Sequence, residues 1–237
     1  MSTGTLRLPT RYFRRYPPEA FLGYAQEEIQ IGLQHTAFLA VDVMGDKSEV
    51  MANHVVPAMD AARRLGLPIV YAANSAPRVD LDHYEFAMQR DRNAQHYFPR
   101  VIAEPSVDPR EYHAGSGPWS HYWDAVAPRP GDYYVRKIAY SGFHETRLDS
   151  VLRHLGADTL ICVGFVISEC LLGTLIDAYS RNYRAILLRD CTLAGEETRQ
   201  EHATRSFTQR MILWCETYIC SSSTSEEFVA ASAAVNR

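Results

Sequence analysis

Three residues far apart in the chain carry side chains suited to one kind of chemistry: Asp42, Lys137 and Cys170. Each lies at or near the end of a short apolar run. Asp42 ends "FLAVDV", Lys137 lies near the end of "DYYVRKIA", and Cys170 follows "DTLICVGF", just inside the next helical stretch. A thiol near a helix start sits beside N–H groups without intrahelical partners, at the positive end of the helix dipole. That setting favours thiolate over thiol. A neighbouring lysine ammonium would favour it further. A carboxylate in reach could take the thiol proton and later deliver it to a leaving amine. The bend "GFVISEC" would aim backbone N–H groups at a developing oxyanion, with Gly164 easing the sharp turn. Taken singly, the three residues have ordinary explanations: a turn aspartate, a solvated lysine, a small core cysteine. The chemistry depends on their convergence.

Convergence needs the carrying elements side by side. "HTAFLAVDV" (35–43), "LPIVYAAN" (67–74), "DYYVRKIA" (132–139), "DTLICVGF" (158–165), "RAILLRDC" (184–191) and "WCETYIC" (214–220) read as strands. Between them fall helical stretches at 49–65, closed by Gly66, and from Thr146, as cap, to Leu155, closed by Gly156. Others run over 169–182, 197–212 and 224–234. Alternation of strand and helix predicts an α/β protein. It would be three-layered, α/β/α, with a six-stranded, mainly parallel sheet. Ligands of such sheets gather at the carboxyl ends of the strands, where Asp42, Lys137 and Cys170 fall. Residues 1–34 show no strong period and read as a surface extension, with the domain running over 35–237. Residues 75–130, rich in His, Arg, Asp, Pro and aromatics, read as a lid or binding insert. "GSGPWS" (115–120) inside it lacks the glycine spacing and strand-to-helix context of a phosphate cradle.

Composition limits the partners. A chain of 237 residues, 46% apolar and 22% charged, suits one large α/β domain. A net charge of -4 gives no bulk attraction to nucleic acid or anionic membrane. No apolar run approaches the roughly 20 residues that span a bilayer, and "MSTGTLRLPTRYFRRYPPEA" lacks the apolar core of a secretion signal. The expected compartment is the cytoplasm. Five cysteines without a C-x-x-C pair argue against a disulfide framework or a zinc site. Cys162, Cys191, Cys215 and Cys220 read as buried small hydrophobes.

The segments "FLAVDV", "RPGDYYVRKIAYSGFHETRLDSVLRHLGADTLICVGF" and "GFVISECLLGTLIDAYSRNY" together resemble the isochorismatase-like cysteine hydrolases, over roughly residues 35–222. The piece K-x-x-YSGF-x-x-T-x-LDS-x-LR-x-x-G is most similar to the ureidoacrylate and N-carbamoylsarcosine amidohydrolase branch. The resemblance implies an Asp42–Lys137–Cys170 triad, a cis bond at Phe165–Val166, and an oxyanion hole from the N–H groups of Val166 and Cys170. It implies hydrolysis of a C–N amide or ureido bond through a thioester or carbamoyl intermediate, without cofactor. Partners would be a small amide or ureido substrate and water, in a homodimer or homotetramer. The family's frequent glutamine two residues after the aspartate is here Met44. Its Thr and Asn before the cysteine are here Ile167 and Ser168. These departures support a competing reading, a catalytically silent member that binds a small molecule or a partner. Isochorismatases proper generally lack the cysteine, so Cys170 speaks against vinyl-ether hydrolysis.

Nicotinamidases of the same family hold a metal on Asp-x-His and a later His. Asp80, Asp82 and His83 do not match that spacing, and His96, His113 and His121 are scattered, so no metal is expected. Candidate substrate contacts are Asn74 at a strand end, with Trp119, Tyr140 and Phe143 as pocket walls.

Overall fold

The longest apolar runs become the centre of one sheet. In the computed structural model, which describes residues 4–45, 48–76, 112–113, 122–137, 139–195 and 199–235, strand β3 (Thr36–Val41) lies between β4 (Ile69–Ala76) and β7 (Thr159–Gly164), parallel to both. Every residue of β3 and β7 is buried, as expected of strands covered on both faces. Outside β7 lies β8 (Arg184–Leu188), and β6 (Tyr133–Lys137) pairs with the far side of β4, both parallel. Helices α1 (Val56–Leu65), α2 (Leu148–His154), α3 (Cys170–Ser180), α4 (Arg199–Thr204), α5 (Ser206–Tyr218) and α6 (Ser225–Ala233) make the outer layers. Two apolar clusters result, one on each face. Phe38, Tyr71, Ile161 and Phe228 mark the first, and Leu39, Val70, Leu171 and Leu175 the second.

The expected α/β architecture is present, with nine strands among the described residues instead of six. Five of the six expected strands are present, and four others are added. Residues 4–33 are not a loose extension: β1 (Thr5–Arg14) and β2 (Gly23–Gly32) form an antiparallel hairpin that joins the sheet edge. Leu6, Leu8, Ile31 and Leu33 from this segment are buried in the first cluster. The inward alternation covers only Leu6, Leu8 and Thr10 before the pattern fades, too short to stand out from composition. The third addition is the two-residue β5 (Tyr112–His113), antiparallel to the end of β4.

The segment Trp214–Cys220 is corrected: most of it is the last part of α5, not a strand. Its aromatic and β-branched content suggests a strand. Read with the residues before it, however, Thr208, Ile212 and Cys215 fall inward at helical spacing, while Trp214 and Tyr218 are exposed. The terminal strand β9 (Ser221–Ser223) pairs with β8 and carries only serines. Ser222 and Ser223 are fully buried, their hydroxyls bonded to Glu216 and to the Pro9 carbonyl. Hydrogen bonding, not hydrophobicity, places this strand, so the apolar pattern gave no sign of it. The helix expected over 197–212 is divided, because Arg205 takes a left-handed conformation (φ 52) between α4 and α5.

Candidate active site

Parallel pairing of β3, β4, β6 and β7 brings their carboxyl ends to one edge. Asp42 leaves β3 with φ 47, a left-handed conformation that aspartate tolerates better than most residues. Its N–H donates to the Ala72 carbonyl at 2.9 Å. On the neighbouring strands the register sets Asn74 opposite Lys137. The three side chains close on one another. Lys137 Nζ lies 2.7 Å from Asp42 Oδ2, donates to Asn74 Oδ1 at 2.6 Å, and donates to the Ala139 carbonyl at 3.3 Å. An ammonium has three N–H bonds, so its donors are fully used. Asp42 Oδ1 accepts the Asn74 backbone N–H at 2.8 Å, and Oδ2 accepts Asn74 Nδ2 at 3.3 Å. The Lys137 side chain is fully buried and that of Asp42 nearly so. A buried ion pair holds only when its remaining donors and acceptors are met, and Asn74 meets several of them.

Cys170 arrives from the other side, on the first residue of α3. Its sulfur is 3.9 Å from Asn74 Nδ2 and within hydrogen-bonding reach of Asp42 and Lys137. The chain reaches this point through a tight bend. Gly164 has φ 141, and a side chain there would put its first carbon 1.9 Å from the Val41 carbonyl oxygen, so only glycine fits. The Phe165–Val166 peptide bond is cis. In the bend, Phe165, Ile167, Glu169 and Leu171 donate their N–H groups to the carbonyls of Val41, Leu193, Val166 and Val166. Among the described residues no backbone acceptor stands opposite the N–H of Val166 or of Cys170. The second of these N–H groups belongs to the sulfur-bearing residue itself.

The electrostatics differ from the sequence expectation in one respect. Burial pushes the Cys170 thiol up to about 12; the Asp42 carboxylate acts in the same direction, and Lys137 opposes them. Enclosure and the neighbouring carboxylate thus push toward the thiol, against the pull toward thiolate of a helix start and a lysine. Lys137 is already paired with Asp42, and enclosure costs the sulfur its hydration.

The Isochorismatase domain model matches residues 29–217. The chain belongs to the isochorismatase domain family. Among curated relatives, a ureidoacrylate amidohydrolase RutB of Methylorubrum extorquens is 34% identical over 158 residues, 65% of this chain and 62% of that protein. RutB of Azorhizobium caulinodans is 30% identical over 164 residues, 68% and 70% of the two chains. The match to the Methylorubrum relative thus spans less than two thirds of that protein's length. Among solved structures, a cysteine hydrolase from Pseudomonas syringae pv. phaseolicola 1448A superposes with a TM-score of 0.68 at 23% identity, covering 86% of this chain and 94% of that one. N-carbamoylsarcosine amidase from Thermoplasma acidophilum does so with a TM-score of 0.50 at 26% identity, covering 81% and 96%.

The remaining candidates of this isochorismatase-family chain separate by position. Asn74, expected to bind substrate, has its amide engaged by Asp42, Lys137 and Cys170; it joins the three groups and has little left to offer a ligand. Phe143 is buried in the second cluster, 5.7 Å from Tyr183 ring to ring with Arg181 stacked over it. Tyr140 is 45% exposed and sits against Gly173, one turn beyond Cys170. Ile167 is fully buried in the second cluster; its apolar character serves packing rather than pocket polarity. Trp119, together with Asp80, Asp82, His83, His96 and His121, lies outside the described residues. Among the described residues no group of three or more His, Cys, Asp or Glu is assembled to hold a metal ion, and no helix is long and apolar enough to cross a membrane.

Proposed function

We propose that this protein is a cysteine amidohydrolase. It cleaves the C–N bond of a small amide or ureido compound through a covalent intermediate on Cys170. The observation that carries the reading is the single network in which Asn74 joins the Cys170 sulfur to the buried Asp42–Lys137 pair. A neutral thiol is a poor nucleophile, and one pushed up to about 12 needs a base in contact with it. Asp42 supplies that base. As Sγ attacks the substrate carbonyl carbon, the thiol proton passes to Asp42, and Lys137 holds the carboxyl in place while its charge changes. The carbonyl oxygen becomes an oxyanion facing the N–H groups of Val166 and Cys170, which have no backbone acceptor of their own among the described residues. Collapse breaks the C–N bond, and the leaving nitrogen takes the proton from Asp42. Water, deprotonated by the same carboxylate, then attacks the thioester or thiocarbamate, releases the acid, and returns the proton to sulfur. If the group carried is carbamoyl, the released carbamic acid breaks down to carbon dioxide and ammonia.

The activities for which the relatives are named, on ureidoacrylate and N-carbamoylsarcosine, point to the ureido class. Of the substrate contacts expected from the sequence, Tyr140 and Trp119 remain in the proposal. The test is ammonia release from ureido acids, N-carbamoyl amino acids and simple amides. Wild-type protein should turn over at least one of them, and Cys170→Ser should lose at least about a thousandfold in rate. Turnover that survives Cys170→Ser would refute the proposal, and its absence over the whole series would favour the silent, ligand-binding alternative.

A further inference from the structure

The network described so far fixes Asp42 to Lys137, but Cys170 rides on a separate element. A second set of bonds ties these parts together. Thr174, one turn along α3 and 1% exposed, donates its hydroxyl to the Cys170 carbonyl at 2.7 Å and accepts the Gly142 N–H at 2.9 Å. Gly142 belongs to the loop that leaves β6, whose Ala139 carbonyl holds the Lys137 ammonium. Next along the helix, Asp177 accepts the Ser141 hydroxyl at 2.5 Å and pairs with Arg181 at 2.9 Å, while Ser141 Oγ accepts the Phe143 N–H at 3.0 Å. Two glycines make the approach possible. A side chain at Gly142 would meet Ala72 at 3.0 Å and Leu148 at 3.1 Å; one at Gly173 would meet Ser141 and Tyr140 at 3.3 Å.

We infer that Thr174 is a positioning residue: its hydroxyl joins the Lys137 loop to the turn bearing Cys170, and so sets the register between ammonium and sulfur. A threonine bonded to a helical carbonyl is common and often merely local. This one also receives a buried amide from another element, so its removal leaves a donor without an acceptor at the joint between two halves of the site. The inference deepens the proposed function and rests on its reading of Cys170 as the nucleophile.

The test compares Thr174→Val, which keeps the shape and removes the hydroxyl, with Thr174→Ser, which keeps the hydroxyl. The rate of Cys170 alkylation by iodoacetamide is followed against pH without substrate, beside kcat, KM and Tm. In Thr174→Val, alkylation at pH 8 should fall about tenfold and kcat by about as much, with KM changed less than about twofold. Thr174→Ser should recover both to within about threefold. A merely structural threonine would lower Tm in Thr174→Val and leave the alkylation profile and kcat at wild-type values; that result overturns the inference. So does a Thr174→Ser variant no better than Thr174→Val. Alkylation needs no turnover, so wild-type protein inert toward every amide would refute the proposed function while the register of Thr174 was still read.

Discussion

At the scale of residues, the site is a buried ion pair with a thiol set against it, and the ionisation of that thiol is the quantity to measure. Burial, helped by the Asp42 charge, holds the Cys170 proton up to about 12. Alkylation of Cys170 in the free protein should therefore climb with pH through 9 and beyond, without the plateau near neutrality of a preformed thiolate. Iodoacetamide kinetics from pH 6 to 10, read on the Cys170 peptide, check this; saturation below pH 8 would contradict it. Asp42, Lys137 and Cys170 were legible in the sequence because strand ends in a parallel sheet collect such groups. The central place of Asn74 was not. A polar residue at a strand end reads the same whether it faces ligand or neighbours, and only the β4–β6 register, Asn74 opposite Lys137, tells them apart. The upward push of burial on the thiol was equally hidden, since enclosure is a property of the packed chain.

At the scale of elements, the bend between β7 and α3 decides where the sulfur lies. Gly164 has no alternative: any side chain would overlap the Val41 carbonyl, the acceptor of the Phe165 N–H. Gly164→Ala should lose more than about 4 kcal/mol of stability, or fail to fold, through overpacking joined to a strained φ. Urea unfolding measures the loss; a variant within about 1 kcal/mol of wild type would mean that the bend relaxes freely. The end of α1 followed its sequence signal, Gly66 in the left-handed conformation, and α3 and α6 lie within two residues of the ranges expected for them; a Thr224–Glu227 capping box opens α6. Where the signals conflicted, at Trp214–Cys220, a short window of strand-forming residues lost to the longer helical period of α5.

At the scale of the whole molecule, the sheet does not begin with β3, where the apolar pattern places the start of the domain. The hairpin β1–β2 extends it beyond β9 and seals the first cluster with Leu6, Leu8, Ile31 and Leu33. Leu8 is fully buried, so Leu8→Ala should cost about 2–5 kcal/mol although it lies far from the strand ends that carry Cys170. A shift in urea midpoint with kcat unchanged is the expected pattern; an unchanged midpoint would show that the hairpin packs without supporting the core.

The central claim is that Cys170 forms a covalent bond to the substrate carbonyl carbon. The direct measurement is a quench during turnover of a ureido compound labelled at that carbon, with the label located by peptide mass spectrometry. Label on the Cys170 peptide of wild-type protein, transient and absent in Cys170→Ser, is the result expected. Turnover that never leaves label on the protein while the substrate is consumed would contradict the account.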